Sequence, residues 1–111
     1  MELHRMVEDD IAVIAVSGRL DTATAPEFER ESLLRLEEGD KKILLELSEL
    51  EYISSAGLRA ILALAKGAKA SGGSVAVCAM TGMVEEVFSI SGFDAFIPVA
   101  STKDEGLEAL R

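Results

Sequence analysis

The amino-acid sequence predicts a single α/β domain over residues 1–111: a mixed central β-sheet, opened by an antiparallel hairpin and continued by parallel strands, with about four helices mostly on one face. Three features predict it. Short apolar runs, Ile11 to Val16, Lys42 to Leu47 and Val75 to Ala79, alternate with longer segments whose apolar residues recur at three and four positions. These runs are apolar on both sides for most of their length, as strands buried between two layers are. Strands separated by helices need parallel pairing and right-handed crossovers, and when they advance in one direction the helices collect on one face.

Each element has its own reason. Leu3 to Glu8 reads as an edge strand, turned by Glu8-Asp9-Asp10 onto Ile11 to Val16. Thr24, Pro26 and Glu27 have the spacing of a helix start with a capping box, and Phe28, Ser32, Leu33 and Leu36 share one side of a helix that Gly39 ends, with Leu34 pointing away. After the run Lys42 to Leu47 comes a loop, then a helix on which Leu58, Ile61, Leu62, Ala65 and Ala68 form the apolar stripe opposite Arg59 and Lys66. Ser71-Gly72-Gly73 stops that helix. Following Val75 to Ala79, Thr81 and the pair Glu85-Glu86 start a helix carrying Val84, Val87 and Phe88, which ends at Ser91-Gly92. Phe96 to Val99, with Pro98 inside it, reads as a short edge strand, and Thr102 with Glu105 caps a final helix.

Composition excludes several functions. The formal net charge is -9, with Lys66 and Lys69 the nearest approach to a basic cluster, so neither nucleic acid nor a membrane surface is expected as a partner. Cys78 is the only cysteine, which rules out an internal disulfide or a cysteine metal framework and fits a reducing, cytoplasmic setting. No leader pattern opens the sequence and no apolar run reaches the roughly 18 residues of a membrane span. A soluble protein is expected.

Parallel strands gather their C-terminal ends on one edge, where sites in such sheets usually form. Gly18 to Thr22, Tyr52 to Gly57 and Ala79 to Thr81 are predicted to meet there. The middle segment, S-S-A-G-L, sets two hydroxyls at a helix start. Ser54 or Ser55 can serve as the N-cap, and a helix N-terminus with free N–H groups can also hold a phosphate carried on a hydroxyl. Gly57 in the first turn costs up to about 1 kcal/mol against alanine, so a bare backbone is needed there for some reason. Serine as an enzyme nucleophile would need a base, and the only histidine, His4, falls on the first strand. The G-x-S-x-G elbow, the nucleotide-binding G-x-x-x-x-G-K-[ST] loop and metal-ligand clusters are all missing, and Glu49 and Glu51 read as a solvated face. The expectation is a non-enzyme without cofactor or metal.

Three blocks of sequence resemble one family. G-R-L-D at Gly18 to Asp21, L-E-L-S-E-L-E-Y-I-S-S-A-G-L ending at Leu58, and C-A-M-T-G-M-V-E-E-V-F-S-I-S-G-F at Cys78 to Phe93 are similar, in order and spacing, to the bacterial anti-sigma factor antagonists, small members of the STAS group. The resemblance implies a protein that binds an anti-sigma factor, itself an ATP-dependent serine kinase, and so frees a sigma factor. It implies that phosphorylation of one loop serine ends the binding and that a serine phosphatase restores it. ATP belongs to the kinase.

Carried over by position, the acceptor hydroxyl falls on Ser55, with Ser54 the alternative, and the supporting amides on Gly57 and Leu58. The partner surface falls on Asp21, Thr22, Ser54, Ser55 and Ala56, with a turn or cap role equally open to Asp21. Two positions depart from the familiar form: Ser54 stands where an aspartate is common, and Ala56 where a second Ser or Thr is common. Related STAS modules also serve membrane transporters and signalling scaffolds. A constitutive docking module that uses Leu34 or the last helix is therefore the alternative.

Overall fold

A computed structural model describes all 111 residues. The chain runs β1 (Glu2–Glu8), β2 (Ile11–Leu20), α1 (Ala25–Glu37), β3 (Lys42–Glu46), β4 (Leu50–Ile53), α2 (Ser55–Ala70), β5 (Ser74–Cys78), α3 (Gly82–Ser91), a 3-10 turn (Phe93–Ala95), β6 (Val99–Ala100) and α4 (Lys103–Leu110). The sheet order is β1-β2-β3-β5-β6, antiparallel between β1 and β2 and parallel thereafter. The hairpin closes on Asp9 and Asp10, whose φ angles of 51° and 67° give the two-residue turn whose twist matches that of the strands.

Two cores hold the layers together. Alternate residues of β2, β3 and β5 (Ala12, Ile14, Val16, Ile43, Leu45, Val75 and Val77) face α1, α2 and α3, and Phe28 and Phe88 are buried among them. The opposite residues, Ile11, Val13, Leu44, Ala76 and Cys78, lie under Leu107 and Leu110 of α4. Three helices on one face and one on the other agree with the predicted arrangement. α4 also has the predicted cap, with Thr102 Oγ1 accepting from the amide of Glu105 at 3.1 Å.

Four details differ from the sequence reading. β2 does not stop at Val16 but runs to Leu20, past a register shift between Gly18 and Arg19 where Gly18 takes a φ of 87°. The stretch read as a loop before Ser54 contains β4, which lies parallel to the end of β2, with Arg19 opposite Tyr52 and Leu20 opposite Ile53. Its alternation is only four residues long, too short to stand out from a loop. The strand expected at Phe96 to Val99 is mostly irregular chain, and only Val99 and Ala100 pair with β5. Pro98 has no N–H for a ladder and contributes its carbonyl alone, accepting from Val77 at 2.9 Å. On α2 the buried set also includes Ala60 and Leu64, while Leu62 and Ala65 are half-buried, so the helix is covered over a wider arc than its stripe suggested.

Candidate functional site at the edge of the sheet

The extended β2 and the short β4 build the site. The carbonyl of Leu20 accepts the amide of Ser54 at 2.9 Å, which fixes the start of α2 against the end of β2. Gly57 explains itself here: a Cβ at this position would lie 2.7 Å from the Leu20 carbonyl oxygen and 2.9 Å from Leu20 Cγ. The bare backbone that the first helical turn requires is thus demanded by close packing of α2 on β2.

Of the two serines, the structure assigns the cap to Ser54. Its Oγ accepts from the amide of Gly57 at 3.2 Å, its carbonyl accepts from that of Leu58 at 2.9 Å, and the side chain is half-buried. Ser55 begins the helix with an exposed side chain that makes no hydrogen bond within the chain. The amides of Gly57 and Leu58, expected to support a phosphate, both donate to Ser54 here. Of the four amides an α-helix leaves open at its start, those of Ser55 and Ala56 remain without an intrahelical acceptor.

The neighbouring turn is organised by Asp21. Its carboxylate accepts from the amides of Ala23 at 3.0 Å and Thr24 at 3.1 Å, and from the Thr24 hydroxyl at 3.2 Å. The Thr24–Glu27 capping box is therefore not formed. Thr24 Oγ1 turns back instead, in contact with the amide of Asp21 and the carbonyl of Arg19, both at 2.9 Å. The amide bond from Thr24, above all, holds the Asp21 carboxyl below the usual carboxylate range, helped by the Thr24 hydroxyl, the Ala23 amide and the nearby Arg19. Asp21 thus fills the turn role that the sequence left open for it.

Arg19 and Tyr52 were not singled out in the sequence. The guanidinium of Arg19 lies 4.2 Å from the centre of the Tyr52 ring, with its Nε 3.8 Å from Asp21 Oδ2. The signal was available only through the pairing of β4 with β2, which sets these two residues side by side. Between the starts of α1 and α2 runs a shallow groove lined by Thr22, Ala25, Pro26, Glu29, Ala56, Arg59 and Ala60. Two of the expected partner-facing residues, Thr22 and Ala56, therefore share one surface. Glu49 and Glu51 are exposed, the second on β4 rather than in a loop. His4 is an exposed residue of the edge strand. No helix is long and apolar enough to cross a membrane.

Comparison with known proteins agrees with this arrangement. The STAS domain family model matches residues 4–106. A Bordetella bronchiseptica protein whose name, BtrV, goes with a proposed role as an anti-sigma factor antagonist is 34% identical over 103 residues, covering 93% of this chain and 89% of its own. The anti-sigma-B factor antagonist of Bacillus subtilis is 28% identical, with 91% of each chain covered. The crystal structure of a proposed anti-sigma factor antagonist from Thermotoga maritima superposes with a TM-score of 0.92 at 28% identity, covering 98% of this chain and 94% of the other. With the matched model spanning nearly the whole chain, a relative 34% identical over 103 residues and the same fold in the Thermotoga maritima structure, the chain belongs to the STAS domain family.

Proposed function

We propose that this protein is an anti-sigma factor antagonist that binds an anti-sigma factor with serine kinase activity and is released from it by phosphorylation of Ser55. The observation that carries the reading is the division of labour at the start of α2. Ser54 is occupied as the cap, whereas the Ser55 hydroxyl is exposed and unbonded beside a groove between two helix starts. The relatives named as anti-sigma factor antagonists support the partner class.

In this reading the partner seats on Asp21, Thr22, Ser54, Ser55 and Ala56. Its bound ATP gives up the γ-phosphoryl group to Ser55 Oγ, leaving ADP and releasing the hydroxyl proton. The new phosphate carries about -1.5 to -2 charges and is favoured by the positive end of α2 and by the amides of Ser55 and Ala56. No change of fold is needed. A phosphate seated in a close-fitting contact has to be desolvated, and a loss of about 3 kcal/mol weakens binding more than a hundredfold. A serine phosphatase that removes it resets the protein.

The test uses the kinase recovered with this chain from its own cells. Incubation with ATP followed by mass spectrometry of the loop peptide is expected to place one phosphate on Ser55. Phosphate mainly on Ser54, or absent from the pair, overturns the assignment. Recovery of transporter subunits and no kinase would favour the constitutive docking module instead.

A further inference from the structure

Away from the serine site, the two most exposed large apolar side chains are Ile90, 79% exposed on α3, and Phe96, 75% exposed just after the 3-10 turn. They lie in two grooves that flank that turn. In the first, Ile90 and the half-exposed Val99 sit among the carboxylates of Glu85, Glu86 and Asp94. In the second, Phe96 and Leu62 sit beside the ammonium groups of Lys66 and Lys69. None of these five charged groups has an ion-pair partner within the chain, although six pairs between Lys or Arg and a carboxylate form elsewhere.

We propose that a second copy of this chain docks here, forming a two-fold dimer in which the acidic groove around Ile90 receives the basic groove around Phe96, and the reverse. The choice of occupant follows from the charges. A surface with an apolar centre and a positive rim calls for an apolar centre with a negative rim, and the chain carries one immediately beside it. Because the grooves share the turn between them, a two-fold axis near Phe96 satisfies both at once. A head-to-tail contact would satisfy only one on each copy and would leave the assembly open. The patch is small, so the dimer belongs to the weak class of interfaces. Lys66 and Lys69 stand about 16 and 21 Å along α2 from Ser55, at a rise of 1.5 Å per residue, which leaves the serine exposed in the dimer.

Sedimentation equilibrium tests this from micromolar concentrations to about 1 mM. At about 0.15 M salt the screening length is about 8 Å, which damps repulsion between two copies of net charge -9 while opposed ion pairs persist. The mass is expected to rise from 11.8 kDa and level off at the dimer. Phe96→Ser, on an exposed side chain, should keep the circular dichroism spectrum and abolish association. Lys66→Glu with Lys69→Glu should raise the dissociation constant about tenfold or more, and adding Glu85→Lys with Glu86→Lys should restore it. A monomer at every concentration, growth without a plateau, association indifferent to Phe96→Ser, or failure of the second charge reversal to restore it overturns the proposal.

Discussion

Replacing Gly57 with alanine sets two effects of opposite sign against each other. Helix propensity alone favours the change, by up to about 1 kcal/mol. The geometry opposes it, because the new methyl group would stand 2.7 Å from the Leu20 carbonyl oxygen, 2.9 Å from Leu20 Cγ and 3.0 Å from Ile53 Cγ1, where ordinary contact begins near 3.4 Å. The first obstacle is backbone at the end of a strand, and the same oxygen accepts the Ser54 amide, so α2 cannot slide away without stretching that bond. Overpacking typically costs about 1–3 kcal/mol, and an obstacle of fixed backbone puts this case at about 2–3, so that after the propensity gain the net expectation is a loss of about 1–2 kcal/mol. For a domain of this size that lowers Tm by about 5 °C or more. Gly67→Ala is the control. Its methyl group would meet only the tips of Leu36 at 3.1 Å and Leu33 at 3.3 Å, which can give way, so the propensity gain should survive as a change between about zero and 1 kcal/mol of added stability. Urea unfolding of both variants decides. A Gly57→Ala protein as stable as wild type, or more stable, would refute the packing of α2 on β2 and with it the placement of the two serines beside the Asp21 turn.

The two serines should separate in the same assay: Ser54→Ala loses the cap and about 1 kcal/mol, whereas Ser55→Ala leaves the unfolding midpoint unchanged, and equal losses would contradict the assignment. Asp21→Asn should retain more stability than Asp21→Ala, since an amide oxygen can still accept from Ala23 and Thr24, and an identical melting temperature for the two would show that those bonds carry nothing. The Asp21 carboxyl is held below its unfolded value, so its contribution is present above about pH 4 and disappears as the pH falls through the native value; the acid limb of a stability profile should flatten in Asp21→Asn. Cys78 behaves in the opposite sense: burial, reinforced by Glu46, pushes its thiol up to about 11. The fold should therefore lose stability as the pH rises from about 9 to 11, on the order of 1–2 kcal/mol once solvent screening is allowed for, and Cys78→Ala, though less stable throughout from its lost volume, should lack that alkaline drop.

How much of this was legible in the sequence depended on the range of the interaction. The hairpin, the three long strands, the four helices and the Thr102 cap rest on neighbours a few residues apart, and local periodicity and capping chemistry reveal such contacts. β4 has no comparable local signal, and it becomes a strand because β2 overruns its expected end and offers Gly18 to Leu20 as an edge. The need for a glycine at 57 was readable as a cost, but its cause lies 37 residues away at Leu20. The same holds for the Arg19–Tyr52 stack, which only the pairing of two strands could disclose.

The serine pair shows why that distinction matters for function. Sequence alone left both residues as cap and both as acceptor, since either hydroxyl can reach an amide of the first turn. The tie is broken by the Leu20 carbonyl, which takes the Ser54 amide and fixes that residue in extended backbone, with φ -98° and ψ 174°, the conformation in which a cap side chain turns back onto the helix. Ser55, one position on, is committed to the helix and its side chain points outward to solvent. An aspartate at position 54, common in the family, would be equally able to cap, so the Ser54 of this chain keeps the structural role without the carboxylate. The added hydroxyl is already engaged with the amide of Gly57 at 3.2 Å. Of the two serines, a kinase approaching this edge would thus meet one free hydroxyl, that of Ser55, and a serine in place of an aspartate at 54 would make the electrostatic penalty of adding a phosphate there smaller than in a chain that carries the carboxylate.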